Sequence, residues 1–358
     1  MTQPTVLQRD RAVRGRVVIA ACGAGALVFA MLGIVIGPLN ITLLDFGGVI
    51  TDALGLTEGS VSTVKSGVIF NLRIPRVLLG VGVGATLGVA GAAMQGFFRN
   101  PLADPSLIGV SFGGALAAVA IIVLGGAVLA PVIAVLGAFA LPIFAFFGSL
   151  TVVIMIYRIS TIEGRVVVAT MLLAGVAANA LAISGIGYLT FLADDTQLRD
   201  LTLWTLGTLG GATWSRVLPA LILMAISIAG MLTLSRAMNC LLLGEGDAAS
   251  LGVDVEKVKR RAAVLTALGV GAATAICGVV SFIGLVVPHL VRLMTGPDHR
   301  YVLPGSALLG AALVLAADLV ARIAVVPAEL PLGVVTAAIG APFFFWLLLK
   351  DKRREALG

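Results

Sequence analysis

With 358 residues, 59% of them hydrophobic and only 12% charged, and a mean hydropathy of +1.10, this chain has too little polar surface to dissolve, since a soluble domain carries about 25% charged residues. At roughly 20 apolar residues per span, the length allows about ten membrane helices joined by short loops. The net charge of +6 does not indicate nucleic acid, because the basic residues lie between apolar runs, where they act as orientation signals.

The first apolar run, 17–37, follows Arg9, Arg11, Arg14 and Arg16 and imitates a secretory signal. It lacks a clear small-residue cleavage site and more spans follow, so it reads as an uncleaved first helix. Residues 38–72 are too polar to span and form a long outer loop. Spans are then expected at 77–97, 107–128, 131–156 and 166–192. A polar stretch at 193–216, with Asp194, Asp195, Arg199 and Asp200, reads as an outer surface segment, and a sixth span follows at 217–235. The segment 236–261 is the largest cytoplasmic one; Gly244, Glu245, Gly246 and Asp247, then Ala248 to Leu251 before Gly252, read as a short helix between glycine breaks. The apolar stretch from Ala262 to Pro288 would overshoot the bilayer as one helix, so it divides at Gly278 into spans at 262–280 and 281–294. Spans at 303–326 and 332–349 complete the set.

With the N-terminus inside, both termini are cytoplasmic and only Lys65, Arg73, Arg76, Arg199, Arg216 and Arg322 of the 24 basic residues fall outside. Trp204, Trp214 and Trp346 fall at span ends and suit interfacial anchoring. A shift of 187 residues aligns Gly82-Val83-Gly84-Ala85 with Gly269-Val270-Gly271-Ala272, and pairs Gly91 with Gly278, Pro101 with Pro288 and Gly109 with Gly296. It maps the second span onto the seventh, an odd separation, so the repeat is inverted, a common transporter construction.

The glycines at 80, 82, 84 and 88 imitate a dinucleotide fingerprint but lie inside a membrane helix, where close helix packing is their role. No Gly-x-x-x-x-Gly-Lys-Ser/Thr loop exists, so ATP hydrolysis by the usual route is excluded. Of the carboxylates, only Asp318 lies within a span, four residues from Arg322, with which it can pair. Arg73 and Arg76 flank Pro75, which suits a first helical turn; they read either as interfacial arginines or as a patch for an acidic partner. Pro101 and Pro105 impose a rigid bend after the second span. His289 and His299, the only histidines, fall toward the cytoplasm. No nucleophile–base pair is apparent and Cys22, Cys240 and Cys277 lack metal spacing, so neither catalytic residues, a metal nor a cofactor is expected.

Four stretches carry a resemblance: Leu-Arg-Ile-Pro-Arg at 72–76, Gly-Ala-Ala-Met-Gln-Gly-Phe-Phe-Arg-Asn-Pro-Leu-Ala-Asp-Pro at 91–105, Phe-Ile-Gly-Leu-Val-Val-Pro-His-Leu-Val-Arg at 282–292, and Glu-Leu-Pro-Leu-Gly-Val-Val-Thr at 329–336 with Gly-Ala-Pro-Phe-Phe at 340–344. From about residue 65 onward the chain resembles the FecCD-type permease subunits of bacterial importers for ferric siderophores, haem and cobalamin. Residues 193–207 and 104–111 resemble the haem branch.

The resemblance implies an all-α inner-membrane subunit that works by alternating access as a homodimer within membrane lipid. Its partners are two cytoplasmic ATPase subunits and an extracytoplasmic binding protein, and its cargo is haem, with a ferric siderophore or cobalamin as alternatives. It assigns Arg73, Arg76 and Arg322 to binding-protein docking, and Gly244, Glu245, Asp247, Ala248, Leu251 and Gly252 to ATPase coupling. The cargo path is expected to involve Met94, Gln95, Asn100, Pro101, Pro288 and His289. An ion-coupled secondary carrier is the remote rival.

Overall fold

The computed structural model describes residues 6–355 apart from 38, 57–60, 127 and 326–327, and they are overwhelmingly helical. In chain order the helices are α1 (Val6–Val35), α2 (Leu43–Ala53), α3 (Thr63–Val68), α4 (Ile74–Phe97), α5 (Val110–Leu124), α6 (Ala130–Leu136), α7 (Ala140–Ile159) and α8 (Val168–Leu192). There follow α9 (Asp195–Thr205), α10 (Trp214–Thr233), α11 (Ser235–Leu241), α12 (Glu245–Ser250), α13 (Val255–Cys277), α14 (Ile283–Thr295), α15 (His299–Ile323) and α16 (Leu332–Glu355). Two short strands, β1 (Thr161–Ile162) and β2 (Arg165–Val166), form a hairpin between α7 and α8. Among the described residues, seven helical stretches are long and apolar enough to cross a bilayer, and α5, α14 and Leu332–Trp346 are shorter apolar helices. The apolar stretch expected to divide at Gly278 does so: α13 ends at Cys277, and α14 starts at Ile283.

Helix α4 is the axle. It is apolar all round, as a lipid-facing span is too, but here nearly every residue from Val77 to Phe97 is buried within the protein. Lipid is as apolar as leucine, so membrane helices associate by close packing, which small residues permit. Each glycine of α4 faces a neighbour: Gly82 meets Leu221 and Met224 on α10, Gly84 the backbone of Gly310 on α15, Gly88 the Ser306 carbonyl, and Gly91 the Gly284 carbonyl on α14. Thr86 lies against Gly269 on α13.

Three sequence boundaries are corrected. The loop expected over 38–72 contains α2 and α3 (38 and 57–60 lie outside the described residues), and α3 runs into α4 as one helical stretch from Thr63. Pro75 does not begin this helix, because a π-turn at Ile69–Arg73 precedes it, with the Ile74 N–H bonding five residues back to Ile69; the widened turn accommodates a proline that would otherwise clash with the preceding turn. The segment 193–216 is not confined to the surface. After α9, Gly207 (φ 76°) lets the chain wedge between helix ends, with Thr208 N–H bonded to the Cys277 carbonyl at 2.8 Å and Leu332 N–H to the Gly207 carbonyl at 2.8 Å. The segment 236–261 is α11, α12 and the first turns of α13, started by an Asp254 N-cap; its lysines and arginines disguised a helical period.

The 187-residue shift lays α4, residues 74–97, on residues 261–284, which take in most of α13. Gly109 and Gly296, paired by the same shift, both end helices with positive φ, 76° and 86°.

A methyl group at Gly91 collides with backbone, whereas one at Gly25 meets nothing within 4 Å. Gly91→Ala should therefore cost about 1–3 kcal/mol and lower the melting temperature in detergent, while Gly25→Ala leaves it unchanged or raises it. Equal melting of the two variants would contradict the axle role. Asp45, capping α2 and paired with Lys65 at 2.9 Å, titrates at about 2 rather than 3.8, chiefly because it accepts the Thr42 N–H and then a Lys65 hydrogen bond. Its contribution is full above pH 3.8 and lost as pH falls through 2, so acid should loosen α2, measured as proteolysis there, and Asp45→Asn should abolish that pH dependence.

Candidate functional site

Polar clusters sit at both ends of this apolar bundle. At the end that the charge bias marks as outer, the close α4–α15 crossing brings Arg76 to Asp318 at 2.8 Å, and Asp318 also holds Arg322 one turn along at 3.1 Å. Arg76 reaches Glu329 too, at 2.9 Å. The expected Asp318–Arg322 pair is thus one side of a four-residue cluster. Arg73, 6% exposed, donates to the carbonyls of Ile34, Val35 and Leu39, and Arg322 to those of Gly33 and Ile36. Two guanidiniums therefore cap the C-terminus of α1, where free carbonyls favour cations.

A cavity of about 350 Å³ opens here, lined in part by Leu72, Arg73, Arg76, Leu209, Arg322 and Glu329. The three arginines exceed the two carboxylates by one charge. Arg322 Nε finds no hydrogen-bond partner among the described residues. Glu329 was missed as a site residue, although it opens the Glu-Leu-Pro-Leu-Gly-Val-Val-Thr stretch at 329–336.

A second cavity, of about 210 Å³, lies beside the α13–α14 break and is bordered by Ser106, Ser111, Phe112, Ser281 and Phe282. Phe282 adopts φ 67°, a conformation that bulky residues rarely hold, and it packs against Gly340 on α16.

The residues expected along the path divide between surface and interior. Met94 is fully buried in the central core. Gln95, 2% exposed, donates to the Leu285 carbonyl at 3.1 Å and accepts from Arg292. Pro288 is buried within α14. Neither cavity described here is lined by these three. Asn100 and Pro101 are exposed at the opposite end of the bundle, and His289 is half-buried.

At that end, Gly244 (φ 125°) and Gly252 (φ 82°) flank α12. Ala248 is fully buried against Leu241 and Val258, Asp247 is exposed, and Leu243 and Leu251 are 64% and 62% exposed. Glu245 pairs at 2.9 Å with Lys259 on α13, a buried lysine.

A family model described as the FecCD transport family matches residues 25–350. The chain belongs to the FecCD transport family. It is 46% identical over 287 residues to the hemin transport system permease protein HmuU of Yersinia pestis, covering 80% of this chain and 84% of that one. It is 43% identical to the cobalamin import system permease protein BtuC of Halobacterium salinarum, covering 81% and 75%. A solved structure described as an inward-facing metal-chelate type ABC transporter superimposes with a TM-score of 0.80 at 27% identity, covering 93% and 99%. This FecCD protein is thus the permease subunit of an ABC importer, a multi-pass protein of the bacterial inner membrane. It works with a substrate-binding partner and with separate subunits that hydrolyse ATP. The secondary-carrier alternative is set aside.

Removing the Asp318 carboxylate leaves Arg322 buried without its ion-pair partner. Asp318→Ala should cost about 3–5 kcal/mol, read as a large fall in melting temperature. An unchanged value would show that the cluster does not hold α1, α4 and α15 together.

Proposed function

We propose that this permease moves haem into the cytoplasm by alternating access, as a homodimer with the path between its two copies. The observation that carries the cargo is the 46% identity to a hemin permease across 80% of the chain. Cobalamin is the runner-up, favoured by the 43% match, and a ferric siderophore is the remaining alternative. Both histidines lie toward the cytoplasmic end, so haem passes the outer half without histidine ligation, along apolar wall.

Both termini are cytoplasmic in this reading, and the Arg76 end faces outward. The binding protein docks at Arg73, Arg76 and Arg322. Support comes from the excess positive charge of their cavity and from Glu329, whose side chain at 40% exposure is the arginine ligand that an incoming carboxylate can replace. The ATPase docks on 236–261 through Gly244, Glu245, Asp247, Ala248, Leu251 and Gly252. The exposed Leu243 and Leu251 support this, since apolar side chains clustered on a water-facing segment mark an interaction surface. Cargo moves along the cavity beside Ser281 and Phe282 and leaves past Asn100, Pro101 and His289.

ATP hydrolysis by the reconstituted complex should rise when the binding protein carries haem, and rise less with cobalamin or a ferric siderophore. Stimulation by haem no greater than by empty binding protein would rule haem out.

A further inference from the structure

The cytoplasmic end holds a buried cation that neither docking nor passage of cargo uses. Lys259, on the second turn of α13, is 2% exposed. An ammonium group tolerates burial only when paired and hydrogen-bonded, and Lys259 has three partners on three segments. Its Nζ lies 2.9 Å from Glu245 on α12, 3.5 Å from Glu256 on its own helix, and 3.3 Å from the backbone carbonyl of Val166 on β2. Glu256 in turn accepts the Val166 N–H at 2.9 Å. Two side chains one turn apart on α13 thus hold both polar groups of one strand residue, as a neighbouring strand otherwise does. The hairpin itself is a tight two-residue turn, with Glu163 (φ 51°) and Gly164 (φ 78°) in the left-handed region that such turns require.

Helix α12 is otherwise weakly tethered. It is six residues long, anchored by Ala248, and bounded by two glycines with positive φ that can swing it. A push on α12 would be absorbed at Gly244 and Gly252 unless something stiff spans them. The Glu245–Lys259 contact spans Gly252 directly.

We propose that Lys259 is a positioning residue that makes α12, the β1–β2 hairpin and the start of α13 move as one body. A displacement of α12 then reaches α7 and α8 through the hairpin and α13 directly, rather than dissipating in the glycine hinges. A merely stabilising role would be served as well by an apolar side chain, because a buried ion pair contributes little net stability. What the ion pair adds is a fixed geometry among three segments. This inference rests on the reading that the ATPase docks on 236–261.

The test compares wild type, K259M, K259R, E245Q and the K259M/E245Q double variant, each reconstituted with its ATPase and loaded binding protein, measuring uptake and ATP hydrolysis together. With K259M the ATPase should remain bound and hydrolysing, while uptake per ATP falls about fivefold or more, the lower range of site-to-site coupling. E245Q should reproduce part of the loss, the double variant should add little to K259M, and K259R should keep most of the ratio. Unchanged uptake per ATP in K259M overturns the proposal. So does loss of hydrolysis in proportion to uptake, which makes Lys259 a folding or docking residue, and so do fully multiplicative losses in the double variant. L251D separates the underlying reading: it should release the ATPase, and if the ATPase stays bound with normal uptake, the docking assignment fails and this inference with it.

Discussion

In a bilayer, helices gain nothing from hiding apolar surface from lipid, so what holds them is how closely their backbones approach. Here that constraint is met at α4, where Gly82, Gly84, Gly88 and Gly91 let α10, α15 and α14 close on one central helix. The approach decides more than packing. It sets Arg76 of α4 beside Asp318 of α15, and it places Gln95 where it ties Arg292 of α14 to α4. A small shift of α15 along α4 would leave charges buried and unpaired, which is far costlier than losing van der Waals contact. Glycine contacts and ion pairs therefore specify one register between them.

Charged clusters sit at both ends of the bundle, and they do different work at each end. At the Arg76 end they hold α1, α4, α15 and the approach to α16 around a cavity with surplus positive charge. At the Lys259 end they link a short, hinge-flanked helix to the hairpin and α13. Between them the chain is apolar and small-sided, with breaks at Gly109, Gly278 and Phe282. A membrane subunit that moves cargo without altering it needs such a division: rigid bodies, a few defined hinges, and ends that partners can grip.

Function was legible to the extent that short local motifs carry it. The four quoted stretches mark the family because each is a contiguous run that can be read without knowing its partners, even though Arg73, Arg76 and Gln95 within them reach residues far along the chain. Roles that depend on distant partners were not legible. Met94 and Gln95 stood in a motif and were assigned to the path, and the fold places both in the buried interior, which the motif alone did not announce. Glu329 opened a quoted motif and Lys259 stood in a basic run, but neither position showed its partners: Arg76 for Glu329, and Glu245 with the Val166 carbonyl for Lys259.

By itself the sequence determined that this is a membrane protein of about ten helices and where most of them lie, because a span is dictated by some twenty consecutive apolar residues and needs no tertiary partner. It also determined the break at Gly278, since bilayer thickness limits helix length. The tertiary structure decided where the second span begins, because whether Pro75 starts a helix or sits inside one depends on a π-turn no local pattern announces. It decided that the chain just after α9, at Gly207 and Thr208, is wedged between helix ends, which requires knowing which carbonyls lie nearby. And it decided which charges pair, because an ion pair depends on distance in space and sequence records only distance along the chain.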